Sequence, residues 1–117
     1  MKFNLKIIFL AVAYNKCNAS IWSQVGSDLN GENASDYFGF SVSMSSDGNK
    51  VAIGARSGYI RVYEYSADSW NQLGIDIDGK QDLDWTGYSV SLSADGTKVA
   101  YGAPQYNGNN GEKSGVV

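Results

Sequence analysis

The feature that most constrains this chain is that it copies itself at a spacing of 48 residues. Trp22-Ser-Gln-Val-Gly26 recurs as Trp70-Asn-Gln-Leu-Gly74. Gly39-Phe-Ser-Val-Ser-Met-Ser45 recurs as Gly87-Tyr-Ser-Val-Ser-Leu-Ser93, and Asp47-Gly-Asn-Lys-Val-Ala52 as Asp95-Gly-Thr-Lys-Val-Ala100. Laid over each other without a gap, residues 22–56 and 70–104 share 18 identities in 35 positions. A fixed period of this length means that one structural unit is built twice, each copy packing on its neighbour. The register breaks once. Between Pro104 and Gly115 the second copy carries a nine-residue insertion, Gln105–Lys113, rich in Gly and Asn, which reads as a surface loop.

Within a unit the short-range pattern is that of strands. Phe40, Val42 and Met44 alternate with Ser41, Ser43 and Ser45, a period of two. Asp47-Gly48 and Asp95-Gly96 mark tight hairpins, since Gly enters the positive-φ region without a Cβ penalty. Lys50–Ala55 forms the returning strand, Tyr59–Tyr65 a third, and Trp70–Ile75 a fourth after the turn at Ala67-Asp68-Ser69. Both faces of this sheet carry apolar or small side chains, which suits a sheet packed between two others. No segment has a helical period. The expected fold is all-β: antiparallel four-stranded blades, about two of them, in an incomplete β-propeller. One blade spans 40–75, an incomplete one 88–117, and a preceding outer strand 22–26. A stacked β-solenoid is the competing architecture, though its coils are shorter.

The first nineteen residues do not share the pattern. Lys2 and Lys6 precede an apolar run, Ile7–Tyr14, and Cys17-Asn18-Ala19 offers small residues before Ser20. That is the layout of a secretory signal peptide over 1–19, cleaved ahead of Ser20. A run of eight residues covers about 12 Å as a helix, too short to cross a bilayer, and a buried N-terminal strand is the other reading. Cleavage would remove Lys2, Lys6, Lys16 and the only cysteine, taking the formal net charge from −3 to −6. The repeat region 20–117 would then hold neither His nor Cys, so packing alone must stabilise it outside the cell. Its acidity argues against a nucleic-acid partner. The missing histidine excludes Ser-His-Asp and Cys-His nucleophiles. Asn33-Ala34-Ser35 is a glycosylation triplet of low information.

Phe38-Gly39 ahead of Phe40-Ser-Val-Ser43, with Gly54-Ala55-Arg56 closing the next strand, resembles the FG-GAP repeat of integrin-α-type propellers and of many secreted tandem-repeat proteins. The second copy carries Thr86-Gly87 and Gly102-Ala103-Pro104 at these places. The resemblance runs from Trp22 to Val117 and implies a secreted or cell-surface binding module. In that family the first hairpin often holds Asp-x-Asp-x-Asp-Gly and calcium. Here Ser45-Ser-Asp47-Gly-Asn-Lys50 and Ser93-Ala-Asp95-Gly-Thr-Lys98 each have one carboxylate and a lysine, too few oxygens for calcium. No metal or other cofactor is therefore expected.

Propeller geometry would gather Ser27–Tyr37, Arg56–Ser57, Ile75–Thr86 and Pro104–Ser114 on one rim. These segments differ most between the copies. Asp76, Asp78, Asp82 and Asp84, with the weaker Asp28 and Asp36 set, read as solvated turns capped by Asp, with Gly31 and Gly79 at positive φ. Trp22, Trp70, Tyr59, Tyr63 and Tyr65 read as filling between blades, with a sugar-stacking surface as the alternative. The expected function is non-enzymatic binding or scaffolding of a protein or glycan ligand, with no catalytic residue. The alternative is a carbohydrate hydrolase or lyase using Asp36, Asp82 and Asp84, since paired carboxylates are its minimum equipment. The chain ends two residues into the third strand of its second unit. That leads to the expectation of a piece of a longer array or a truncated reading frame, with ring formation by self-association as the alternative.

Overall fold

The structure is a computed structural model that describes residues 8–10, 22–81 and 83–117. Its described residues form antiparallel strands and turns without a helix. A short pair, β1 (Ile8–Leu10) and β2 (Trp22–Gln24), precedes the main sheet. That sheet is a meander of β3 (Phe38–Met44), β4 (Lys50–Ala55), β5 (Tyr59–Ser66) and β6 (Ser69–Gln72), with β7 (Ile77–Asp78) also paired to β5. A second hairpin, β8 (Ser89–Leu92) and β9 (Val99–Gly102), packs against β3 and β4. Beyond β9, isolated antiparallel bridges join Ala103 to Val116 and Gly108 to Gly111.

Strand limits differ from the sequence expectation in two places. The first strand begins at Phe38 rather than at residue 40, because the ladder slips between Phe38 and Ser41 around Gly39, held at φ 90°. This bulge lets Phe38 and Val42 both face inward-packing residues of β4, opposite Ala55 and Ile53. The fourth strand ends at Gln72 rather than Ile75. Gly74, at φ 74°, turns the chain, which returns as β7 beside Tyr59 and Ile60. The proposed leader lies largely outside the described residues. Its described part, Ile8–Leu10, pairs antiparallel with Trp22–Gln24.

The hairpin signature Ser-x-Asp-Gly folds alike in both units. Ser45 Oγ donates to Asp47 Oδ1 at 2.6 Å and accepts from Lys50 N at 2.9 Å. Ser93 repeats both contacts with Asp95 and Lys98 at the same distances. Asn49 N and Thr97 N each donate to the aspartate at 3.0 Å. These bonds hold Asp95 down to a pKa of about 2 and lower Asp47, the serine contact leading in each case.

The core lies on one face of the main sheet. Val51, Ile53 and Ala55 of β4 pack with Phe38, Tyr63, Trp70 and Leu29. Trp70 Nε1 donates to Val25 O at 3.0 Å, which ties the segment after β2 over the outer strands. Among the aromatics expected as filling, Trp70 and Tyr63 are buried and Tyr59 and Tyr65 pack beside them. Trp22 departs from that expectation and is 53 % exposed. The other face of β4 is lined by Ala52 and Gly54 and meets the second hairpin.

Candidate functional site

All four loops singled out in the sequence reach one end of the sheets and are stitched together. Ser57 N donates to Asp36 O at 3.2 Å, Gly79 N to Gly58 O at 2.8 Å, and Gln105 N to Asp84 O at 3.0 Å. The Gln81 side chain exchanges two 3.1 Å bonds with the backbone of Asn107. The insertion also holds itself, through Lys113 N to Asn107 Oδ1 and Gly108 N to Ser114 Oγ. Ordering such a Gly/Asn-rich loop opposes its conformational entropy, and these bonds supply the compensating contacts.

Asp36 and Asp84, 48 residues apart, organise the two long loops. Asp84 Oδ2 accepts from Lys80 N and Gln81 N, and its Oδ1 accepts from Thr86 N at 2.8 Å. Asp36 Oδ2 accepts from Glu32 N, Asn33 N and the Tyr59 hydroxyl at 3.0 Å. They cap amides as the sequence implied, but they are buried rather than solvated: Asp84 is 1 % exposed. Three donors on each carboxylate replace the water that burial removes. Burial, then the Asp36 bond, pushes the Tyr59 phenol up to about 12.

Gly31 and Gly79 are glycines for a different reason from the one expected. Neither lies at positive φ. A Cβ on Gly79 would stand 2.5 Å from Asp84 Oδ1, and one on Gly31 would stand 2.9 Å from Phe38 Cβ. The positive-φ positions are instead Ser35 and Tyr37, matched by Leu83 and Trp85. Bulky residues rarely adopt this conformation, which costs of order 1–3 kcal/mol each. Part of the compensation is visible: the Arg56 guanidinium lies 4.2 Å from the centroid of Trp85 and 5.7 Å from that of Tyr37.

Arg61 is the residue that sequence reasoning passed over. It is a buried arginine in the middle of β5, between Ile60 and Val62. It makes a two-pronged contact with Asp76, 2.8 Å at each prong, and also binds Glu32. The Asp76 bond raises the Arg61 pKa and, reciprocally, lowers that of Asp76. The cue was an arginine between the β-branched Ile60 and Val62 of a strand, with two acidic loops elsewhere in the sequence.

The remaining carboxylates do not converge. Asp78 is exposed, and Asp82 lies outside the described residues. Among the described residues no group of three or more Asp, Glu or Cys could hold a metal ion. An open cleft of about 710 Å³ runs along the rim between Tyr59, Asp78, Lys80, Gln81 and Leu83. Of its lining, Leu83 leaves most of its surface in water. The chain has no match among protein-family models, curated proteins or solved structures.

Proposed function

We propose that this chain is a secreted repeat module of the FG-GAP type, its sheets being blades of a β-propeller, and that it binds a protein or glycan through the loop rim without catalysing a reaction. The observation that carries the reading is the division of labour between frame and rim. The Ser-x-Asp-Gly hairpins of the two units make matching bonds. The loops Ser27–Tyr37, Arg56–Ser57, Ile75–Thr86 and Pro104–Ser114 differ between units yet lie together. Variable loops on a constant frame are the usual arrangement for recognition. The cleft, where exposed Leu83 lies with Lys80 and Asp78, offers apolar and polar contacts side by side.

Removing Gln105–Lys113 rejoins Pro104 to Ser114 and recreates the short Arg56-Ser57 connection of the first unit. The variant is expected to keep its near-ultraviolet circular dichroism and to lose binding on an array of neutral and acidic glycans and extracellular proteins. Binding that survives the deletion unchanged would remove the rim assignment.

A further inference from the structure

The contact between the two units has a direction, and each of its two sides is presented a second time, uncovered, elsewhere on the molecule. On the first unit the contact uses the face of β3 and β4 that carries Ser41, Ser43, Ala52 and Gly54. Ser41 Oγ donates to Gly87 O at 2.7 Å, Leu92 N donates to Ser43 Oγ at 2.8 Å, and Ser46 N donates to Ala94 O at 2.9 Å. The backbones approach so closely that a Cβ on Gly54 would stand 2.2 Å from Gly87 O. Against this face the second unit sets Gly87, Val90 and Leu92.

Both sides recur by identity or near-identity. Ser89, Ser91, Ala100 and Gly102 repeat the small, hydroxyl-bearing face, with Ala100 opposite Ser91 as Ala52 is opposite Ser43. Gly39, Val42 and Met44 repeat the Gly87, Val90 and Leu92 side. Exposure separates the two copies of each side. Ala52 is fully buried while Ala100 is exposed, and Val42 and Met44 remain 43 % and 37 % exposed while Val90 and Leu92 are half-buried. Each half of the internal interface is thus covered in one copy and open in the other.

We propose that a second copy of this chain docks head to tail, placing its Gly39–Met44 face on the Ser89/Ser91/Ala100/Gly102 face of the first. The internal contact specifies the bonds: Ser89 Oγ donates to Gly39 O of the second copy, and Met44 N of the second copy donates to Ser91 Oγ. Gly102 and Gly39 permit the same close backbone approach as Gly54 and Gly87. A heterologous contact of this kind leaves one face of each type free in every dimer, so growth continues until a ring closes or a filament forms. The proposal is independent of what the rim binds.

Two single substitutions and their mixture test it on the full 117-residue chain. Val42→Arg blocks one face and Ala100→Arg the other. Unmodified chain is expected to show concentration-dependent association by sedimentation velocity. Each variant alone is expected to be monomeric with unchanged near-ultraviolet circular dichroism. Mixed, they are expected to form a one-to-one complex that grows no further, because each supplies the face the other lacks. The double variant, which lacks both faces, is expected to stay monomeric at every concentration. If either arginine disturbs folding, Met44→Lys and Ser91→Arg replace it. A monomer at every soluble concentration, a mixture that forms no complex, loss of association from only one of the two faces, or a double variant that still associates would each overturn the proposal.

Discussion

At the residue scale the carboxylates show how one side-chain type takes three roles in a small molecule. Asp47 and Asp95 tie hairpins in solvent, Asp36 and Asp84 gather loop amides in the interior, and Asp76 holds Arg61. Tyr59 reports on the second role. Its phenol is held up at about 12 by burial and by the bond to Asp36, against an ordinary value of 10.0. A folded-state pKa raised above the unfolded value stabilises the fold fully below pH 10, and that contribution fades as pH rises towards 12. Burial raises the Tyr63 phenol too, so spectrophotometric titration of tyrosinate is expected to show late-ionising phenols of which one disappears in Tyr59→Phe. The same variant is expected to lose less stability than the parent between pH 10 and 12.

At the element scale the glycines of the strands act by absence of volume more than by backbone freedom. Gly54 lies between Ser41 Oγ and Gly87 O, with no room for a methyl group against backbone that cannot yield. Gly54→Val is therefore expected to lever β8 away from β3 and β4. The expected loss is roughly 3 kcal/mol, the upper part of the range for overpacking, measured by urea unfolding at constant m. Arg61 shows the converse, a large side chain retained inside a strand. Asp76 and Glu32 meet its guanidinium, and the Tyr59 ring lies 5.0 Å beneath it. Strand positions were legible in the sequence because alternation and Asp-Gly turns are local. The bulge at Gly39 and the return of β7 to Tyr59 were not, because they answer to partners about 15–20 residues away in the chain.

At the scale of the whole molecule, the packed interior is unevenly shared. The described core cluster draws on the first sheet and on Leu29, and none of its members comes from β8 or β9. Slow amide exchange is expected to concentrate in β4, whose Val51, Ala52, Ile53 and Ala55 are fully buried. Val99–Gly102 is expected to exchange markedly faster, by hydrogen-exchange mass spectrometry. Equal protection of the two hairpins would show that the units unfold as one.

The sequence by itself determined the all-β class, the 48-residue unit, its turns and the grouping of variable segments into loops. These follow from spacing and from local conformational preference, which a single chain displays openly. Only the tertiary structure decided which way each face points. It buried Asp36 and Asp84, left Trp22 exposed, brought Arg61 to Asp76 and Glu32, and covered one copy of the serine face while leaving the other open. Burial depends on what lies across from a residue, and the two copies, alike in sequence, have different neighbours.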